Sequence, residues 1–515
     1  MSESKIDPSP GTHIEKWGYS FTWTEQHLTH IQTDPLQQEF DVLADQALEK
    51  LQALKALTAS QSETGRPPES DLYEILKANH QQDDVLHRFW DQVHVVPDWV
   101  DWQQLERAQA HFPRYALPHM IGFALQAFLA EASASSRVVE VLVRTGGFST
   151  SQLLRRLLNT FQWLAQITSD LPSIQPGGDA HVATVRVRLL HASVRARIRI
   201  LAAKDPQYFD LQNWGLPCND LDQIHTISTF SSNQLWLHLP RLGITPTDQE
   251  IVDYVALFRY IGYILGVPPS YFERPKDAKL LMESLCVTDL QVTETSRTVA
   301  YNFIQCVANL PWPFHISGGF LEAGSRWING DDLSDQLNLG HPSYLQYMAF
   351  VGQYILSVEL AWAQRLVPAF DEFMVSVSLF RSAREREKVT HLAQFIRKLL
   401  REGLIERKQK TRFGFKWIPQ IGKMTVKEAS KGNPKSTIAK YWATVTEMGP
   451  IEVFFLSVVF THAVSLLLFS WLAVGLFAKL CDGQNCHNVT ALIVDLYFRV
   501  RMKVGKTITE PHEFK

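Results

Sequence analysis

The stretch RVRLLHASVRAR, residues 186–197, sets one histidine among leucines, valines and four arginines. On a helix that turns 100° per residue, Val187 and Val194 lie to one side of His191, and Arg188 and Arg195 lie to the other. A haem requires such a division, because it needs an imidazole for iron, an apolar wall and cations for its propionates. Spacing alone leaves a second interpretation open, in which the histidine packs in a core and the arginines face water.

Helical periodicity extends outward from this stretch and predicts an all-α fold. Apolar residues recur at three- and four-residue spacing between about residues 35 and 405, while alternating strand patterns are rare. Prolines and glycines fall between these periodic segments, as expected for helix connections. The sequence therefore predicts a helical domain over residues 35–410 after a polar N-terminal segment, residues 1–34. Two of the most regular segments are EIVDYVALFRYIGYILG (250–266) and YLQYMAFVGQYILSVELAWAQRL (344–366).

Charge and cysteine content exclude some classes of protein. The 515 residues carry a formal net charge of −3, which argues against a general nucleic-acid binder. The five cysteines show no CxxC spacing and no disulfide framework. Cys481 and Cys486 are close enough in sequence to pair, and the sequence leaves their pairing open.

A long apolar run near the C-terminus predicts a membrane anchor. From Val453 to Leu480 there is no acidic residue, and Lys479 is the single basic one. Since about 20 apolar residues cross a bilayer as a helix, we predict a transmembrane helix over residues 451–480, with a buried core helix as the alternative. A basic linker, residues 411–450, precedes it, and a tail, residues 481–515, follows. The upstream lysines favour a cytoplasmic body, which would place the Asn488 glycosylation sequon in the lumen.

A second candidate site segment lies upstream, in GGFSTSQLLRRLLNTFQWL (146–164). Arg156 and Thr160 are four residues apart, so a helix presents a cation and a hydroxyl on one face. The alternative is a surface arginine beside a threonine that hydrogen-bonds its own helix backbone.

The order of these motifs resembles a known family. Arg156-xxx-Thr160 is followed by VRLLHASVR (187–195), GLPCNDLDQIHTISTFS (215–231) and FRYIGYILGVP (258–268). Together they look like the latex clearing protein (rubber oxygenase) and MpaB-type, ER-bound oxygenase family, over roughly residues 75–400.

The resemblance implies a globin-related helical core that holds one haem b, with His191 as the iron ligand. It implies that Arg188 and Arg195 lie near the propionates, and that Arg156 and Thr160 lie on the distal side.

The resemblance also implies a catalytic base. Glu140 matches the acidic residue proposed as a base in rubber-cleaving members, although an ion pair with Arg137 or Arg144 is an equally reasonable interpretation. Asn159 stands where bacterial rubber oxygenases carry a lysine, so a lysine-capped iron is not expected from this position.

These expectations describe a haem-dependent oxygenase that uses dioxygen on a small, hydrophobic and unsaturated substrate at a membrane, with isoprenoids as one candidate class. The endoplasmic reticulum or another internal membrane is the expected location, with a cytoplasmic catalytic body and no nucleic-acid partner. The sequence leaves the oligomeric state undefined. Two alternatives are a non-catalytic haem protein that serves as a sensor, carrier or electron-transfer module, and a helical membrane protein without a cofactor.

Overall fold

The computed structural model describes residues 6–60, 71–149, 152–308 and 316–377, and these ranges are mostly helical. The prediction of an all-α fold is therefore confirmed for the described residues. A single antiparallel hairpin precedes the helices, with β1 at His13–Lys16 and β2 at Tyr19–Thr22. The predicted basic linker, transmembrane helix and tail all lie outside the described residues.

In the described ranges, twenty α-helices follow the hairpin. The first ten are α1 His30–Thr33, α2 Val42–Ser60, α3 Leu72–Asn79, α4 Asp84–His94, α5 Trp102–Arg114, α6 Ala116–Gly122, α7 Ala132–Ala134, α8 Ser136–Arg144, α9 Leu153–Ile167 and α10 Leu171–Ile174. The others are α11 Asp179–Lys204, α12 Leu211–Trp214, α13 Asp220–Phe230, α14 Leu239–Arg241, α15 Asp248–Leu265, α16 Pro275–Thr288, α17 Glu294–Val307, α18 Gly318–Gln336, α19 Tyr344–Leu366 and α20 Pro368–Val377.

Four helical segments of other types complete the set. The 3₁₀ helices are Asp34–Gln37 and Pro269–Phe272, and the π-helices are Phe123–Glu131 and Gln234–His238. π-Helices are rare and occur often at functional sites.

Local sequence signals explain several helix ends. The Asp83 side chain accepts hydrogen bonds from the first amides of α4, with Val85 N at 2.8 Å. Thr247 and Glu250 form a capping box at the start of α15. Such caps satisfy amides that have no partner within the helix. The two regular segments quoted above become α15 and α19, and the bounds of α19 are those of its apolar pattern.

Helix α11 is the central element of the core. It packs against α2, α9 and α15, and it also touches α3 and α10. Leu189, Ala192 and Ile198 of this helix are almost fully buried. His191 therefore lies on a helix at the centre of the domain.

The hairpin packs on a break in α18. Gly330 has a φ of +82°, and a side chain there would come within 3.0 Å of the backbone nitrogen of Gly18 in the hairpin turn. Glycine meets both demands, since it adopts positive φ and leaves room for the turn.

Within the described ranges, the structure contains no helix with the length and apolar character needed to cross a bilayer. The predicted span at 451–480 lies beyond these ranges and stays a prediction.

Candidate functional site

An internal cavity of about 250 Å³ opens among α8, α9, α11, α13 and the π-helix Phe123–Glu131. This volume is near the lower end of the range for ligand and cofactor pockets, about 300–1,000 Å³. The walls are mainly apolar and aromatic, which favours a hydrophobic occupant. Examples of wall residues are Phe128, Leu142, Phe148, Trp163, Val187 and Val194.

His191 lines this cavity. Its Nδ1 lies 3.3 Å from Gln223 Oε1, an amide oxygen that accepts a hydrogen bond from Nδ1–H. Burial, reinforced by the charges of Arg195 and Arg156, lowers the pKa of His191 to about 4. The imidazole is therefore neutral at pH 7. No residue in the described part of the chain hydrogen-bonds to Nε2, so its lone pair is available to a ligand in the cavity.

Arg156 and Thr160 reach the same cavity from α9. Burial lowers the pKa of Arg156 to about 10, so its guanidinium remains a cation at neutral pH. The guanidinium lies over the Phe148 ring at 5.4 Å, and its Nη1 is 3.4 Å from the Thr145 hydroxyl. Gly147 leaves room for it, because a Cβ there would collide with Nη1.

Thr160 satisfies both interpretations that the sequence allows. Its hydroxyl donates to the Arg156 carbonyl at 3.1 Å, which is the local backbone bond expected of a helical threonine. The same side chain lines the cavity, with Asn159 beside it. The oxygen keeps lone pairs that can accept a hydrogen bond from an occupant.

Glu140 does not line the cavity. Its carboxylate forms an ion pair with Arg144 one helical turn away, which is the alternative considered from the sequence. Arg144 is fixed further by the backbone carbonyls of Glu140 and Tyr208, at 2.9 and 2.5 Å. The role of Glu140 as a base stays a prediction.

Arg188 and Arg195 flank His191 on α11 and form ion pairs with residues at the start of α2. Arg188 Nε is 2.6 Å from Asp41 Oδ2, and Arg195 Nη2 is 2.6 Å from Asp45 Oδ1. Neither arginine lines the cavity, and both are almost fully buried. Their predicted role at the propionates stays a prediction. The structure does not bring them together with Arg156.

A buried charge cluster that the sequence did not predict forms another part of the wall. His225 places Nε2 2.6 Å from Glu131 Oε1 and Nδ1 2.5 Å from Asp289 Oδ2. Burial opposes the charge, but these two carboxylates raise the pKa of His225 to about 10. Arg137 pairs with Asp289 and also with Asp222. His225, Glu131 and Asp222 all line the cavity.

Local sequence contains little that would reveal this cluster. His225 is 94 residues from Glu131 and 64 from Asp289, so no spacing rule connects them. The available signal is their position in one motif, since His225, Asp222 and Gln223 all lie in the quoted motif at 215–231.

Across the described ranges, no three His, Cys, Asp or Glu side chains converge to hold a bare metal ion. The polar groups that face the cavity are instead the neutral His191 imidazole, the Arg156 cation, hydroxyl and amide groups, and the His225 cluster with its carboxylates.

Comparison with known proteins identifies this architecture. A family model described as the catalytic domain of ER-bound oxygenase mpaB/B'/rubber oxygenase matches residues 113–354. Residues 113–354 therefore belong to the mpaB/rubber oxygenase family. The match includes the cavity-lining parts of α8, α9, α11 and α13, and it confirms the resemblance predicted from the motifs.

A solved structure of latex clearing protein LCP in the closed state shares this rubber oxygenase fold. The two match with a TM-score of 0.50 and 16% sequence identity, over 74% of this chain and 94% of that one. At this identity the match supports the fold alone. No curated protein matches the chain.

Proposed function

We propose that this protein is a haem b-dependent oxygenase that acts with dioxygen on a hydrophobic, unsaturated substrate at a membrane. The observation that carries the proposal is His191, a neutral imidazole with an unengaged Nε2 that faces an apolar cavity. Membership of residues 113–354 in an oxygenase family supports the reaction class.

The residues present fit a haem. A haem iron takes a neutral imidazole nitrogen, and the other ring nitrogen of such a ligand usually donates to an oriented acceptor, as Nδ1 does to Gln223. The apolar and aromatic walls suit a macrocycle. When bound, the haem would supply the chemistry of dioxygen activation.

The chain's own groups would bind and orient the reactants. Arg156 and Thr160 supply a half-buried cation and a hydroxyl that can polarise an oxygen atom in the cavity. Arg155 is exposed on the same helix and lines the cavity, so it is also available to an anionic group. Arg188 and Arg195 would support the site through α11, since their charges are matched by Asp41 and Asp45.

The substrate class follows from the walls and from the family. Phe128, Leu142 and Trp163 offer contact surface to an apolar chain. Isoprenoid lipids are the first class to test, because they combine apolar bulk with allylic positions. The apolar run at 453–480 would keep such a domain near a lipid-dissolved substrate, which raises the local substrate concentration.

Absorption spectra of the full-length, detergent-extracted protein test the haem part of this proposal. We expect a Soret band that shifts with carbon monoxide after reduction. The band should be lost in His191→Ala and restored by added imidazole. His181→Gln is the matched control on the same helix, since His181 bonds a backbone carbonyl at 2.6 Å and should leave the band intact. Retention of a normal band in His191→Ala would overturn the assignment of His191.

Oxygen consumption separates an oxygenase from a non-catalytic haem protein. We expect uptake and chain cleavage with an unsaturated prenyl lipid, and neither with its saturated analogue. A haem-loaded protein that consumes no oxygen with any prenyl lipid would support the non-catalytic alternative instead.

A further inference from the structure

Asp222 occupies an unusual place on the cavity wall. It lies in the first turn of α13, whose N-cap Asn219 accepts a hydrogen bond from the Asp222 amide at 2.8 Å. The side chain lines the cavity and is almost fully buried. Arg137 Nε contacts Oδ1 at 3.3 Å. No described residue hydrogen-bonds to Oδ2, which leaves this oxygen available to an occupant.

The neighbouring carboxylates are engaged in a way that Asp222 is not. Both oxygens of Glu131 accept hydrogen bonds, from His225 at 2.6 Å and from Gln126 at 2.7 Å, and Asn233 adds a third. Glu140 is paired with Arg144 and does not reach the cavity. Among the described residues that line the cavity, Asp222 is thus the carboxylate with an unengaged oxygen.

The electrostatic environment brings the pKa of the Asp222 carboxyl close to neutral pH. Burial and the nearby charge of Asp289 raise the pKa of Asp222 to about 6, against the opposing charges of Arg137 and His225. A proton-transfer group works best when its pKa lies near the working pH. Buried carboxylates with such a pKa in a cavity are candidates for functional groups.

We propose that Asp222 is the proton-transfer residue of the cavity, with Oδ2 as the atom that takes and returns the proton and Arg137 as the residue that orients the carboxylate. This inference rests on the proposed haem function, because an acid–base group needs a reaction to serve. It assigns to Asp222 the role of proton acceptor that the family resemblance implied for Glu140.

Hydrogen cyanide is a probe that isolates this proton transfer from turnover. It enters as a neutral acid, its proton passes to Asp222 Oδ2, and the cyanide anion is left to bind ferric haem iron. The H–C bond breaks, the O–H bond forms, and no electron is exchanged. Without the carboxylate, the proton must pass to water.

Stopped-flow absorption of the full-length, haem-loaded protein measures the association rate from the shift of the Soret band. We expect Asp222→Asn to slow cyanide association about 100-fold at pH 7, the lower end of general-base effects. Asp253→Asn is the matched control: Asp253 is also buried and paired with one arginine, Arg107, but lies away from the cavity. It should keep the wild-type rate.

The wild-type pH profile gives a second test that needs no variant. Oδ2 accepts a proton only when Asp222 is ionised, so association should fall as the pH drops through about 6. A flat profile, or an Asp222→Asn rate equal to that of wild type, would refute the role of Asp222. Absence of a Soret band would instead refute the haem proposal, so the two failures are distinguishable.

Discussion

Replacing His225 by glutamine should destabilise the domain more than any ordinary buried histidine substitution. His225 is the cation between Glu131 and Asp289, and all three side chains are buried. Glutamine retains hydrogen-bonding groups and approximate size but carries no charge. The variant therefore leaves two buried carboxylates with Arg137 as the nearest remaining cation.

The size of the effect follows from the pKa of His225. Its rise from 6.5 to about 10 corresponds to about 5 kcal/mol at 1.36 kcal/mol per pH unit. Removal of one partner from a buried ion pair costs about 3–5 kcal/mol. Both routes give a loss of several kcal/mol, which is a large part of the 5–15 kcal/mol typical of a folded domain.

The pH dependence has a definite sign. Because the pKa of His225 is raised in the folded protein, its protonation stabilises the fold fully below pH 6.5. That stabilisation is lost as the pH rises toward about 10. The stability difference between wild type and His225→Gln should therefore shrink steadily across this interval.

Urea unfolding followed by tryptophan fluorescence, at several pH values between 6 and 10, measures this difference. His181→Gln is the control, because burial lowers the pKa of His181 to about 4 and keeps it neutral throughout. His181 makes two side-chain hydrogen bonds, from Gly177 N at 3.2 Å and to Val93 O at 2.6 Å, so the substitution should cost about 2 kcal/mol at every pH. A His225→Gln deficit that is equally small, or that does not change with pH, would show that His225 is not the buried cation.

Two further substitutions test how the cavity is built. Gln223→Leu removes the group that accepts a hydrogen bond from His191 Nδ1–H, so the dissociation constant for haem should rise about 10–100-fold. A haem-transfer assay measures this constant. An unchanged value would show that Gln223 does not support the site. Gly147→Ala places a methyl group where Arg156 Nη1 lies, so turnover of a prenyl lipid should fall while haem content and the unfolding midpoint are kept. Wild-type turnover in that variant would show that the position of Arg156 is unimportant.

The helices and the main cavity residues were accessible from the sequence because their signals are local or ordered. The apolar repeat of residues 344–366 contains the whole of α19. His191, Arg156 and Thr160, which were singled out from the sequence, line one cavity. The hairpin was not predicted, since strands of four residues are too short for a clear alternating pattern.

The partners of the site residues could not be predicted from the sequence, because tertiary contacts determine them. Gln223 reaches His191 across 32 residues, and Arg137, which contacts Asp222, is 85 residues away from it in sequence. His225 has no ligand-like spacing with any neighbour in the sequence, and the fold alone supplies its two carboxylates.

The arginines of α11 show how a correct helical pattern can have a different physical use. The helical wheel placed Arg188 and Arg195 on one side of His191, and the structure keeps that arrangement. Their partners Asp41 and Asp45, about 150 residues upstream, lie one helical turn apart on α2 or just before it. Two ion pairs that flank His191 in sequence fix the rotation of α11 about its axis. Because a helix turns 100° per residue, this constraint directs His191 toward the cavity.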